Sequence, residues 1–385
     1  MINYPHGYYT VGDAIFANKA LALLESTKSN IPVKWIFNDE VFSKFNWTIR
    51  PPGTLPYWYQ QRAQQLRDTY DYITIWFSGG SDSWTVLNSF LSNGIHVDEV
   101  YTRWTRSERK FKDADPTDTD SSNTGSEYEY AVAPVLEYIK KNFPKTTITV
   151  DDPSDELFTK DVPLDKLLFG NTGYQTFSGF TKLNRKTAGE LAASNKNKKI
   201  ANVIGASKIE YKIQNGNFYS FFFDGHGRVD QDYKNIEFFF STPDLPELSI
   251  LQSHCLKDFI KSVSINGVIS TAIVTTTGKK IEISDRSIYD RRNYALACYP
   301  NWNINTFQAE KHLGSIIHKD DLKAKEFNPN LFNKWWTEVV SFVKDIDPTY
   351  YKLHPNFKKL VVGYTLIRSN YYLIESNTNL KDTYT

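Results

Sequence analysis

The sequence contains little cysteine and has no long apolar run. Only two of its 385 residues are cysteines, Cys255 and Cys298, and they lie far apart. Because there is no CxxC pair or Cys/His cluster, we expect neither a structural zinc site nor a disulfide framework, and we predict buried structural thiols. No segment approaches the roughly 20 apolar residues that a membrane-spanning helix needs. The N-terminus has neither the basic start nor the apolar core of a signal peptide. These absences predict a soluble cytoplasmic protein, of the cell or of an infected host cell.

An excess of charge of either sign is also absent. The 45 basic and 44 acidic side chains give a net charge of +1. Since binding to a polyanion usually requires a clustered basic excess, the composition does not indicate a nucleic-acid partner, although a local basic groove would remain compatible with one. Hydrophobic residues make up 40% and aromatic residues 15%, which is enough for a sizeable core. A chain of this length is expected to form two or three packed units.

The pattern along the chain predicts three domains. Residues 1–65 are interpreted as a mostly helical N-terminal segment, with a helix over Asp13–Leu24 and a short strand at 31–37. Residues 246–385 are interpreted as a mostly helical domain for substrate or partner, with a short β-like patch at 267–284. Residues 66–245 alternate between strand and helix, with strands predicted at 72–77, 97–103, 146–152 and 199–206 and a hairpin around Asn215-Gly216. Alternation with short connections predicts an α/β fold, with a parallel sheet and helices on both faces.

The motif that carries chemistry is the hexapeptide at 78–83. It consists of Ser78, Gly79, Gly80, Ser81, Asp82 and Ser83, and it follows the apolar run at 72–77. A phosphate group needs convergent N–H donors and close backbone approach, which a glycine-rich turn between a buried strand and a helix start supplies. The serines add hydroxyl donors, and Asp82 is placed to cap the helix or to help bind the Mg²⁺ that accompanies ATP. The alternative is an ordinary Ser/Gly-rich loop with a helix cap.

Other phosphate and hydrolase motifs are missing from the sequence. There is neither G-x-x-x-x-G-K-[ST] nor G-x-G-x-x-G, and H-E-x-x-H and a complete G-x-S-x-G are absent as well. By contrast, a chance match to S-G-G-x-D-S is expected in on the order of one chain in a few thousand of this length. The nucleotide interpretation of the loop is therefore favoured.

The loop S-G-G-S-D-S at the end of a strand resembles the signature of the PP-loop (N-type) ATP pyrophosphatase superfamily, of the HUP fold type. Its members include asparagine, NAD and GMP synthetases and adenylylsulfate reductases. The resemblance extends over about residues 66–245 by order of elements, and only the loop is specific. It implies that residues 78–83 bind the phosphates of ATP, that Mg²⁺ accompanies them, and that ATP is cleaved between the α- and β-phosphates to adenylate a substrate. It also implies that backbone near Tyr101–Arg103 holds adenine.

Further candidates lie where the predicted strands end, which is where open α/β sheets hold their ligands. Lys208, after the fourth predicted strand, is placed to hold departing pyrophosphate, and we group it with Asp82 as catalytic. Arg103, Arg106 and Arg109 follow the second strand. Asp152 ends the third strand as a candidate Mg²⁺ ligand. Surface lysines, charged loops and solvated carboxylates are common, so a purely structural role is an open alternative for each of them.

The sequence favours an AMP-forming ligase or an amidotransferase-like enzyme. A relative of adenylylsulfate reductases is an alternative, but their redox cysteine near the C-terminus has no counterpart after Cys298. A non-catalytic ATP-binding interaction module is the third hypothesis. A fused glutaminase would need Cys at position 2, where Ile2 stands. The acceptor substrate is not indicated, and homodimers are frequent in the superfamily. The composition is compatible with a large tailed virus (a phage) or its host.

Overall fold

The computed structural model describes nine stretches of the chain and five single residues. The stretches are 6–103, 128–151, 186–205, 208–224, 236–263, 268–274, 280–287, 291–300 and 367–380, and the single residues are 337, 341, 344, 345 and 382.

The N-terminal region combines a small antiparallel sheet with helices. Its strands are β1 (Tyr8–Val11), β2 (Ala14–Phe16) and β3 (Lys34–Ile36), paired in the order β2-β1-β3, and its helices are α1 (Lys19–Ser29) and α2 (Asp39–Phe42). The predicted helix from Asp13 is therefore wrong, whereas the strand predicted at 31–37 is confirmed by β3. Gly12, at φ +58°, turns the chain back along β1. The helix begins only after Asn18, whose side chain accepts hydrogen bonds from the first-turn amides.

Strands and helices alternate through the middle of the chain. In order they are α3 (Leu55–Thr69), β4 (Tyr72–Trp76), α4 (Ser81–Leu91), β5 (Glu99–Arg103), α5 (Ala133–Asn142, after a π-helical turn at Tyr128–Val132), β6 (Thr147–Asp151), α6 (Ala188–Asn195) and β7 (Ile200–Ile204). The strand β10 (Ile236–Phe238) follows after a hairpin formed by β8 (Ile209–Gln214) and β9 (Asn217–Phe222). The four predicted strands are confirmed. So is the hairpin, whose turn residues Asn215 and Gly216 both have positive φ.

Five of these strands form one parallel sheet in the order β10-β7-β4-β5-β6. The chain proceeds from β4 outward through β5 to β6, and then crosses back to β7 on the other side of β4. Such a reversal creates a crevice between the carboxyl ends of the two strands that flank it, and open α/β sheets bind ligands there. In this sheet the crevice lies between β4 and β7, and the hexapeptide loop follows β4 directly.

The two faces of the sheet differ in polarity. Ile73 and Ile75 of β4 are fully buried on one face. On the same face, Arg62 of α3 forms an ion pair with Glu237 of β10. Thr74 points to the other face, because side chains alternate along a strand. There its hydroxyl lies 3.4 Å from the carboxylate of Glu190 in α6. Helices therefore cover both faces, and α6 covers the polar one.

The C-terminal part, predicted to be mostly helical, lies largely outside the described residues, so its helical character stays a prediction. Its described elements are α7 (Pro246–Val263), β11 (Val268–Val274), β12 (Lys280–Ser287), α8 (Arg291–Cys298) and β13 (Tyr372–Glu375). Strand β13 pairs antiparallel with β9 and completes the sheet β13-β9-β8. Its four residues are too few to show a period, and pairing across about 150 residues of chain is not visible locally.

Helix α7 starts at Pro246, where the domain boundary was predicted. Its buried Leu248 and Leu251 belong to the same apolar cluster as Val86 and Phe90 of α4, and α7 packs against α3 and α8. The division into three domains remains a prediction. In the described residues, α7 therefore joins α8 to α3 and to the hairpin strand β8.

Candidate active site

The loop after β4 is shaped by one glycine. Gly79 has φ +82°, and a Cβ atom on it would lie 2.7 Å from Cγ2 of Val132. Both the left-handed backbone and the close approach therefore require glycine at this position. Gly80, at φ −77°, has an extended conformation that any residue adopts, and it directly precedes α4.

Among the described residues, the first turn of α4 has amide groups without hydrogen-bond acceptors. Gly80 provides no side-chain cap, and the first helical hydrogen bond runs from Trp84 N to Gly80 O. No described residue accepts a hydrogen bond from the N–H groups of Ser81, Asp82 or Ser83. Unpartnered amides combined with the positive end of the helix dipole form an anion-binding arrangement. The predicted phosphate loop therefore has the donors that a phosphate needs.

The serines of the loop do different things. Ser83 is buried, donates its hydroxyl hydrogen to Gly80 O at 3.1 Å, and accepts from Ser78 N at 3.1 Å. Its hydroxyl therefore holds the loop in shape, which is a different role from the predicted contact to a ligand. Ser78 is exposed and Ser81 is buried.

Strand β7 brings Lys208 to the loop. Gly205 lies so close to α4 that an added Cβ would be 3.0 Å from the carbonyl carbon of Asp82, so a side chain there would push the two segments apart. Beyond this contact, Lys208 Nζ lies 2.8 Å from Asp82 Oδ1 and 5.0 Å from the ring centre of Tyr294. The structure thus joins the two predicted catalytic residues, which are 126 positions apart in sequence.

Asp82 has a second partner, which sequence analysis missed. The hydroxyl of Tyr299, just after α8, donates to Asp82 Oδ1 at 2.6 Å. Both donors use the same oxygen, and no described residue donates to Oδ2. The Asp82 side chain remains 36% exposed. No local pattern in the sequence distinguishes Tyr299 from a core tyrosine.

Burial determines the protonation of the groups around Asp82. It raises the pKa of Tyr299 well above the ordinary value for a phenol, and the nearby Asp82 carboxylate adds to this effect. It likewise raises the pKa of the Cys298 thiol well above its usual range. Tyr299 is therefore a neutral hydrogen-bond donor at neutral pH, and Cys298 is a protonated thiol that is a poor nucleophile.

Side chains at the carboxyl ends of β5 and β6 contact one another. Tyr101 donates its hydroxyl hydrogen to Asp151 Oδ2 at 2.9 Å, and Arg103 Nη1 lies 3.8 Å from the same oxygen. The carbonyl of Tyr101 accepts from Phe77 N. The Tyr101 ring lies 5.4 Å from the ring of Trp76. Asp152, Arg106 and Arg109 lie outside the described residues.

The residues around Asp82 fit a divalent cation that is bound together with a phosphate. Mg²⁺ is commonly held by one or two carboxylates together with substrate phosphates and water. Asp82, with one engaged and one unengaged carboxylate oxygen beside bare amides, fits that pattern. Within the described stretches, no group of three or more His, Cys, Asp or Glu side chains could hold a metal ion by itself. A cation here would therefore depend on a phosphate ligand.

Comparison with known proteins provides no relative. No family model matches the chain, and no curated protein and no solved structure matches it either. The described helices include none that is long and apolar enough to cross a bilayer. Fold and site define the chain as an α/β protein with a parallel sheet and an uncapped helix start at the crevice of that sheet.

Proposed function

We propose that the chain binds the polyphosphate of ATP at the start of α4 and supports an AMP-forming reaction with an acceptor substrate. The observation that carries the proposal is the set of unpartnered amides of Ser81, Asp82 and Ser83, which lies opposite a lysine across the sheet crevice. The N-terminus of α4 and the lysine after β7 thereby direct positive charge to the same place. Such convergence is what a polyphosphate needs and what an ordinary turn lacks.

Each residue has a role in this proposal. The amides of α4 bind phosphate oxygens, and the hydroxyl of exposed Ser78, which lies 3.2 Å from the Ser83 hydroxyl, turns from it to the phosphate. Lys208 leaves Asp82 and contacts the phosphates, where its charge stabilises negative charge on the departing pyrophosphate. Asp82 is then the carboxylate available to Mg²⁺, which supplies charge neutralisation when bound. Adenine is proposed to contact the backbone near Tyr101–Arg103.

In the reaction, an oxygen of the acceptor forms a bond to the α-phosphorus, and the bond from that phosphorus to the bridging oxygen of pyrophosphate breaks. The reductase-like alternative has weaker support, because Cys298 is buried with a raised thiol pKa and such chemistry needs an accessible thiolate. A non-catalytic ATP-binding module uses the same contacts and differs only in the absence of cleavage.

The test is titration calorimetry with Mg-ATP up to about 1 mM, a range that spans ordinary substrate affinities. The wild type should bind, and Lys208→Met should bind about 10- to 100-fold more weakly, since a charge-assisted hydrogen bond contributes roughly 1.5–3 kcal/mol. Lys212→Met is the matched control. The Lys212 ammonium lies over the ring of Tyr371, 5.5 Å from the centroid. Removing this ammonium should leave the affinity for Mg-ATP unchanged.

Absence of binding by the wild type would reject the function. Equal affinities for wild type and Lys208→Met would reject the role of Lys208. If the protein binds Mg-ATP, assays of released AMP and pyrophosphate over a panel of carboxylate and amine acceptors then distinguish a ligase from a non-catalytic binding module. Release in the presence of an acceptor supports the ligase, whereas tight binding without release supports the binding module.

A further inference from the structure

Tyr299 joins the C-terminal part of the chain to the loop after β4. Its hydroxyl donates to Asp82 Oδ1 over 217 positions of sequence, although α8 and the residue after it lie outside the predicted nucleotide-binding region. The site is therefore built from two distant parts of the chain. Nothing in the α/β pattern of residues 66–245 includes this contact.

The tyrosine is held in place independently of Asp82. Its amide continues α8 by bonding to Ala295 O at 3.0 Å, and its ring packs 5.4 Å from the ring of Phe240. Tyr59 of α3 donates its hydroxyl hydrogen to the carbonyl of Cys298, the preceding residue, at 2.7 Å. The helical amide hydrogen bond and the ring packing each fix Tyr299 without the Tyr59 hydroxyl, so the hydroxyl of Tyr299 is a preorganised donor.

The two donors to Asp82 Oδ1 differ in what a phosphate would do to them. Lys208 is a cation on a flexible stem, so an incoming polyphosphate competes for it. Tyr299 is neutral, buried to 2% exposure and fixed by its ring packing, so it has no comparable reason to leave. Tyr299 is then the donor that remains on Oδ1 when Lys208 has turned to the phosphates.

We propose that Tyr299 is a positioning residue of the nucleotide site, which holds the Asp82 carboxylate so that Oδ2 keeps one orientation towards the divalent cation that accompanies ATP. This inference rests on the proposed function and adds a residue to it. Hydrogen-bond partners of a metal-binding carboxylate act in this way, since they orient the ligand without touching the metal.

The experiment compares Tyr299→Phe with Tyr59→Phe. Each variant loses one buried, hydrogen-bonded phenol hydroxyl from the same cluster, and only Tyr299 contacts Asp82. Calorimetry would measure the ATP affinity at a series of Mg²⁺ concentrations. Tyr299→Phe should need on the order of tenfold more Mg²⁺ for half of its Mg²⁺-dependent gain in affinity, as is typical when an outer-shell partner is lost. Tyr59→Phe should keep the wild-type Mg²⁺ dependence.

A double-mutant cycle adds a second measurement that does not depend on the size of the single effect. In an Asp82→Asn background, Tyr299→Phe should cause no further change in Mg²⁺ dependence, because the two residues act through one contact. Additive effects would overturn the inference, as would equal shifts in Tyr299→Phe and Tyr59→Phe or an unshifted Tyr299→Phe. If the wild type itself binds no Mg-ATP, the proposed function fails, and the inference fails with it.

Discussion

Helices α4 and α6 both pack on the same sheet, yet their first turns are built in opposite ways. At α6 the hydroxyl of Thr187 accepts from Glu190 N at 3.1 Å, and the Glu190 carboxylate accepts from Thr187 N at 2.8 Å. This capping box satisfies the helix start with the chain's own side chains. At α4 the cap position is Gly80, which has no side chain to offer.

The difference shows which helix start is available to a ligand. Thr187 also donates to Glu99 Oε2 at 2.7 Å, and Glu99 receives further hydrogen bonds from Tyr72 and Thr149. The start of α6 is therefore part of a closed and buried polar network. The start of α4 faces Lys208 across the crevice between β4 and β7, and its first amides have no acceptor among the described residues. A site is expected where the chain leaves its donors free.

The largest effect should come from giving α4 a cap of its own. Gly80→Asp fits the extended backbone at φ −77°, and its carboxylate would accept from the first-turn amides and repel phosphate. Affinity for Mg-ATP should fall about 100-fold, since at least one charge-assisted hydrogen bond is lost. The free energy of unfolding should rise by about 0.5 kcal/mol through the cap and the helix dipole. Calorimetry and urea unfolding measure the two quantities.

Gly80→Ala is the matched control for this substitution. It adds a Cβ but no acceptor, so the affinity should stay within about tenfold of the wild type. If Gly80→Asp binds Mg-ATP as tightly as the wild type, the amides of α4 are not the phosphate site.

The opposite change removes the cap of α6. Thr187→Ala should lower the free energy of unfolding by about 2 kcal/mol, because a helix cap is lost and Glu99 loses a buried hydrogen bond. The affinity for Mg-ATP should not change. Thr187→Ser keeps both hydrogen bonds and should retain most of the stability. A loss of nucleotide affinity in Thr187→Ala, with the protein still folded, would contradict the distinction between the two helix starts.

A smaller effect is expected from the pH dependence of the same capping box. Burial raises the pKa of Glu190 above its ordinary value, and its hydrogen bonds only partly oppose this. The folded protein therefore takes up a proton at higher pH than the unfolded chain does, so the contribution of Glu190 to stability grows as the pH falls from the raised pKa towards the ordinary pKa of 4.5.

Glu190→Gln removes this proton uptake and keeps a hydrogen-bond acceptor for Thr187 N. The free energy of unfolding of the wild type, taken relative to this variant, should increase between pH 7 and pH 4.5 in urea unfolding. A constant or decreasing difference would show that Glu190 does not titrate with a raised pKa.

The sheet could be predicted from sequence because its signals are local. The run of β-branched and aromatic residues at 72–77 identifies β4, and Asn215-Gly216 identifies the β8–β9 hairpin. The order of strands in the sheet was not predictable in the same way, because it depends on the crossover from β6 back to β7. Strands β1 and β2 were missed because together they have only seven residues, which carry too short a pattern.

The site was predicted in part, for a comparable reason. Gly79, Gly80 and Asp82 are adjacent in sequence, so their pattern is visible there. Lys208 was a candidate because it follows a predicted strand. Tyr299 was not, because its contact with Asp82 depends on how α8 packs against the rest of the core. Ser83 belongs to the motif, but only the structure shows its hydroxyl bonded within the loop.

The central claim is that the first amides of α4 are free to bind phosphate. The most direct test records backbone amide NMR spectra while Mg²⁺ and inorganic pyrophosphate are added. The amide signals of residues 79–83 should shift in a saturable manner, whereas the amides of Gly189 and Glu190 at the start of α6 should not. Unchanged signals at residues 79–83, or equal shifts at both helix starts, would contradict the account.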